Sequence, residues 1–156
     1  MTREEFTQMI LEHRGTLYYV SYGLLKNRED QDDAVQECIH KALIKMETLK
    51  DDRFFKTWIT RILINECYNV LRRKKREIPM EGIHLTVPAT AHYGVFHAVM
   101  QLEEKLRLPI ILHYFEDHTT KEVATILSTP EGTIKSRLQK ARRMLGQMMD
   151  AEEVFA

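Results

Sequence analysis

Apolar residues return at steps of three and four along most of this chain, the spacing of helices that bury one face. Phe6, Met9, Ile10 and His13 open the pattern behind Thr2 and Glu5, which have capping-box spacing. Gly15 interrupts it, and Leu17, Tyr18, Ser21, Leu24 and Leu25 resume it. A helix starting near Asp30 carries Ala34, Cys38, Ile39, Ala42, Leu43 and Met46 on one stripe. The next, from about Phe54, carries Phe55, Trp58, Ile59, Ile62, Leu63, Cys67, Val70 and Leu71, and ends in the basic run 72–76.

The period is lost from 77 to 94, where Pro79, Gly82, Pro88 and Gly94 fall among short-range irregular sequence. This predicts a linker. Its hydrophobic residues Ile78, Ile83, Leu85 and Val87 suggest that it packs on a surface. Helical spacing then returns over 95–105 and 106–116, with Pro109 early in the second. Thr119 and Glu122 have capping-box spacing ahead of a helix to Leu127. After a turn at Ser128 and Thr129, a last helix runs from Pro130 to about Gln147, with Thr129 as its expected cap. The expected fold is all-α: an N-terminal helical bundle (1–76), a flexible linker (77–94) and a C-terminal helix-turn-helix domain (95–156).

Charge changes this picture only through its distribution. Lys and Arg number 23 and Asp and Glu number 23, so the net charge of zero gives no bulk argument for nucleic acid. No apolar run reaches 18 residues, and the acidic start lacks a secretory signal core. The expectation is a cytoplasmic protein that is not membrane-embedded. Cys38 and Cys67 lie within apolar stripes and read as small buried hydrophobes. The histidines show no metal spacing, and His118 reads as a surface residue. No catalytic residue, metal or cofactor is expected.

Three segments carry candidate chemistry. In the second helix of the C-terminal pair, Glu131, Thr133, Lys135, Ser136 and Arg137 occupy the positions from which base edges are reached in a major groove, and Lys140, Arg142 and Arg143 follow where phosphates can be reached. Gly132 removes a side chain where the helix could approach the DNA backbone. In "NREDQDDAVQEC", Asp30, Asp33 and Glu37 share a face, with Gln36 beside it. Acids at a helix start favour the macrodipole, and the same face could equally dock a basic partner. Along the fourth helix, Arg61, Asn65, Asn69, Arg72 and Arg73 recur on a non-core face, after a loop at 49–53 that holds Leu49, Lys50 and Arg53. Arginine and asparagine beside aromatics suit unstacked single-stranded DNA, and a solvated basic face is the plain alternative.

Together "NREDQDDAVQE", "FKTWITRILINECYNVLRRKKR" and "PEGTIKSRLQKARRML" resemble an extracytoplasmic-function (ECF) RNA polymerase sigma factor of the sigma-70 family, in order and spacing over nearly the whole chain. The resemblance implies that Asp30, Asp33, Gln36 and Glu37 bind a coiled coil of the largest subunit of core RNA polymerase. It implies that Asn65 and the 49–53 loop hold a flipped base of the melted −10 promoter element, and that the last helix reads the −35 element as duplex. An anti-sigma factor is the expected regulatory partner. The chain departs from the family pattern at Gln31, Asp32 and Ala34. The rival readings are an autonomous homodimeric helix-turn-helix regulator, a helical adaptor that does not touch DNA, and an enzyme.

Overall fold

The computed structural model describes residues 1–76 and 93–155, with side chains placed for 1–75 and 94–149. All regular structure among them is helical. The chain divides into two compact units, one holding α1 to α4 and the other α5 to α8. The predicted linker lies outside the described residues, apart from Tyr93 and Gly94, which open α5.

In the first unit, α1 is Arg3–Glu12, α2 Arg14–Leu25, α3 Arg28–Ile44 and α4 Phe55–Arg76. The predicted capping box starts α1: the Glu5 N–H donates to Thr2 Oγ1 at 3.1 Å and the Thr2 N–H to Glu5 Oε2 at 2.9 Å. Such a cap stabilises a helix by about 1 kcal/mol. The break between α1 and α2 falls at His13, so Gly15 lies in the first turn of α2. Helix α3 begins earlier than the apolar stripe suggests. Asn27 is its cap, accepting the Asp30 N–H at 2.9 Å, and periodicity cannot register a cap that precedes the first buried residue. It also ends before Met46, which sits in a short 3₁₀ turn, Met46–Thr48.

Helix α4 packs on both α2 and α3, which pack on each other. Leu17, Val20, Ala34, Cys38, Phe55, Ile59, Leu63 and Cys67 are buried at the centre. Each large aliphatic side chain buried there contributes roughly 1.5–3 kcal/mol. Phe6 ties α1 to this core with its ring edge-on to Phe55, centroids 6.2 Å apart. Both cysteines are free, as expected of buried hydrophobes. Burial, helped by the Glu66 carboxylate, pushes the Cys38 thiol up to about 12.

The second unit comprises α5 Tyr93–Gln101, α6 Glu104–Ile110, α7 Thr120–Leu127 and α8 Glu131–Phe155. Helices α5 and α6 part at Leu102 and Glu103, earlier than the sequence pattern suggests. Arg107 explains that junction. It is 5% exposed, and its Nη1 donates to the Met100 and Leu102 carbonyls at 3.4 and 3.3 Å. A cation thus satisfies orphan acceptors at the end of α5. Beyond Pro109 the chain widens into a looser turn, Ile111–Phe115, in which the Glu116 N–H donates to the Ile111 carbonyl five residues back. His118, expected at the surface, is buried at 3% exposure. It is held beside α7 with Nδ1 3.8 Å from Glu122 Oε2, and no sequence period reveals a fold-back of this kind.

Candidate polymerase and promoter interfaces

The acids of α3 split into two groups. The sequence spacing groups Asp30 with Asp33 and Glu37, but the structure separates them. Asp30 is 9% exposed, accepts a hydrogen bond from Asn27 Nδ2 at 2.7 Å, and is paired with Lys74 from the end of α4. Asp32 is also engaged, with the Tyr18 hydroxyl at 2.8 Å and Arg28 Nε at 3.2 Å. Burial first and this acceptor second raise the Tyr18 hydroxyl above its ordinary range. Gln31 turns inward to the Tyr18 carbonyl and Ser21 Oγ. Asp33, Gln36 and Glu37 remain exposed, with no hydrogen bond or ion pair to any described residue.

These three residues line one side of a surface groove between α3 and α4. Glu66, Asn69 and Arg73 line the other side, and Lys41 lies between. Glu66 organises the groove. It is 5% exposed and accepts Lys41 Nζ at 2.6 Å and Asn69 Nδ2 at 3.3 Å. Asn69 Oδ1 in turn accepts Arg72 Nη2. Sequence reasoning missed Glu66 and Lys41. A charged residue amid the apolar stripe of α4 was the available signal.

The five Arg and Asn residues of α4 do not form a single ridge. Each helical residue advances about 100°, which keeps Arg61, Asn65 and Arg72 together and turns Asn69 and Arg73 toward the groove. Arg61 and Asn65 are exposed, without a described partner. In the preceding loop Leu49 is half-buried and Lys50 exposed. Asp51 caps a second 3₁₀ turn, Asp52–Phe54, and binds the Arg53 guanidinium through both oxygens at 2.8–3.2 Å. The Arg53 side chain and backbone N–H hold the Asp51 carboxyl below its usual range. Phe54, expected to begin the helix, projects from this turn at 58% exposure.

In the second unit the predicted capping box starts α7, with the Glu122 N–H donating to Thr119 Oγ1 at 3.1 Å. Helix α7 ends with Ser128 in the left-handed region (φ 51°), and the Thr129 N–H reaches back to the Ala124 carbonyl at 3.0 Å. That closure turns the Thr129 hydroxyl toward the Leu127 carbonyl, 3.0 Å away, so Thr129 does not cap α8 as expected. Pro130 accepts the first bond of α8 from the Ile134 N–H at 3.1 Å, and α8 continues past Gln147 to Phe155.

Ile134, Leu138 and Ala141 fix the buried face of α8. Glu131 is tied down, accepting the Thr120 hydroxyl at 2.9 Å with Lys135 Nζ at 3.7 Å. Ser136 and Lys140 are exposed, Thr133 and Arg137 half-buried, and none of the four has a described partner. A Cβ on Gly132 would meet nothing within 4 Å, so internal packing does not require glycine there.

The residue matches to known families follow this division. Residues 9–77 match the Sigma-70 region 2 family and residues 95–145 match Sigma-70 region 4. The RNA polymerase sigma factor SigV of Bacillus subtilis is 30% identical, over 98% of this chain and 96% of that protein. The chain belongs to the sigma-70 family of RNA polymerase sigma factors, in its ECF branch. The ECF sigma factor SigM of Mycobacterium tuberculosis is 28% identical, over 94% of this chain and 78% of its own. Among solved structures, the sigma factor RpoE of Bartonella quintana, crystallised with the anti-sigma factor NepR, superimposes with a TM-score of 0.81 at 25% identity. The match spans 94% of this sigma factor and 98% of that chain. CnrH, solved in complex with the cytosolic domain of CnrY, shares the fold at 22% identity and a TM-score of 0.72. No helix among the described residues is long and apolar enough to cross a membrane.

Proposed function

We propose that this sigma factor grips core RNA polymerase through Asp33, Gln36 and Glu37, with Asp30 acting from behind as the anchor of the α3 start. Core polymerase would present a basic surface, such as a coiled coil of its largest subunit, to the unpaired acids. The exposed ridge of Arg61, Asn65 and Arg72 then takes the melted −10 strand. Arg binds phosphates and Asn an unstacked base, which the 49–53 loop with Lys50 and Arg53 encloses. Asn69 and Arg73 border both surfaces.

The second unit reads the −35 element as duplex. Thr133, Ser136, Arg137 and Lys135 face base edges, Lys140 meets a phosphate, and Gly132 lets the helix approach the backbone. Residues 1–76 and 95–156 thus divide the promoter between them, with 77–94 as the tether. The protein works in the cytoplasm, and an anti-sigma factor that covers the α3 acids and the α8 cations would hold it inactive.

The observation that carries this reading is that unpartnered acids on α3 and unpartnered cations on α8 lie in different units. Two such surfaces suit one chain that bridges an enzyme and its template. Run-off transcription from a genomic fragment library tests it: transcripts should appear only when core polymerase and this protein are both present. Firm promoter binding by the protein alone, in a gel shift without polymerase, would point instead to a self-sufficient regulator.

A further inference from the structure

The turn Ile111–Phe115 and the middle of α8 meet at a polar contact that the proposed function does not use, although the sequence already placed Arg142 among cations able to reach phosphates. Arg142 Nη1 donates to the Tyr114 hydroxyl oxygen. Both residues are on the surface, and Tyr114, 46% exposed, stands out for a large aromatic. The His113 ring packs edge-on against Tyr114, centroids 4.8 Å apart, and His113 is itself held by Nδ1 to the His118 carbonyl at 2.7 Å. The phenol is therefore fixed from below while its tip stays in solvent.

Two consequences follow from donor chemistry. Because the Tyr114 oxygen accepts from Arg142, its own O–H is free to donate outward. The guanidinium keeps further N–H donors as well. Along α8, Arg142 shares a face with Lys135, seven residues and about 10 Å away, while Thr133, Arg137 and Lys140 lie across the helix from it.

We propose that Tyr114 and Arg142 form a two-donor clamp for a single DNA phosphate flanking the −35 bases. The Tyr114 hydroxyl and the Arg142 guanidinium bind the same phosphate, and the hydrogen bond between them sets their spacing beforehand. This rests on the reading of α8 as the −35 helix.

The test uses holoenzyme, made from core polymerase and the full chain, binding a promoter duplex over a range of salt concentrations. Tyr114→Phe should weaken binding about three- to ten-fold while leaving the salt slope unchanged, because no charge is lost. Arg142→Gln should weaken binding and lower the slope by about one. In the double variant the losses should be less than additive. Lys135→Ala serves as the reference. If it weakens binding and Tyr114→Phe does not, the clamp is wrong and the −35 reading stands. If Lys135→Ala also leaves binding intact, both are wrong. A purely structural role for Tyr114 predicts a lower melting temperature for Tyr114→Phe with unchanged promoter affinity, and that result would equally overturn the proposal.

Discussion

On α3, α4 and the loop between them a candidate functional side chain often has a partner inside the protein. Asp30 has Lys74 and Asn27, Asn69 has Glu66 and Arg72, and Arg53 has Asp51. On the start of α8 the corresponding side chains project with few internal bonds, and only Glu131 and Lys135 are linked. The first surface is preorganised by ion pairs bridging two helices. The second is a bare ridge whose order comes from the apolar face beneath it. Removing an exposed group from either surface should therefore affect binding alone. Removing one of the internal partners should affect binding and stability together.

The sharpest break in this comparison comes from reversing the exposed acids. Asp33→Lys with Glu37→Lys should lower affinity for core polymerase by about 2–5 kcal/mol in a titration with labelled enzyme. The melting temperature should hardly move, since both residues are exposed and form no hydrogen bond or close ion pair, Glu37 only attracting Lys41 through solvent. Next in size, Arg137→Ala should cost about 1–3 kcal/mol of −35 discrimination, measured by competition between matched and mismatched duplexes with holoenzyme. Again stability should be nearly unchanged.

Glu66→Gln goes to the other side of the comparison. It should destabilise the chain by about 1 kcal/mol in chemical denaturation, because the amide loses the charge that attracts Lys41 and keeps only one acceptor oxygen for Lys41 and Asn69. Its pH dependence has a definite sign. The Glu66 hydrogen bond raises Lys41 above its ordinary 10.5. The pair's stabilisation is then complete at neutral pH and fades only as pH rises beyond 10.5. The variant should show less alkaline destabilisation than the parent chain. The smallest effect belongs to Gly132→Ala, which should stabilise the free protein by no more than about 0.5 kcal/mol, since Gly132 lies in the first turn of α8, where a glycine costs less than in a helix interior, and no atom crowds the new methyl. The same change should weaken −35 binding if DNA approaches there.

The contrast also accounts for what could be read from sequence. Periodicity located the eight α-helices among the described residues, though not the short turns at 46–48 and 52–54, because Phe55, Ile59, Leu63 and Cys67, or Ile134, Leu138 and Ala141, repeat at the spacing that burial demands. It exposed the α8 ridge for the same reason: residues off a buried stripe on a terminal helix face solvent. Pairings between helices have no such signature. That Lys41 would meet Glu66, 25 residues away, or that Lys74 would reach Asp30, depends on how α3 and α4 cross. Asp30 and Asp33 look alike in sequence, yet one is buried by its neighbour and the other is not. Arg107 escaped notice and His118 was expected at the surface for a related reason, as each satisfies or follows a local irregularity in the backbone rather than a repeat.

Permanganate footprinting of holoenzyme on a promoter fragment tests most directly whether the two units act on separate steps. With Arg61→Ala and Asn65→Ala together, upstream protection should persist while reactive thymines in the −10 region disappear. With Lys135→Ala and Arg137→Ala, both signals should fall on intact duplex, and binding should recover on a template melted beforehand over the −10 region. If the two pairs of substitutions instead produced the same defect on both templates, the division of labour between the α4 and α8 surfaces would be contradicted.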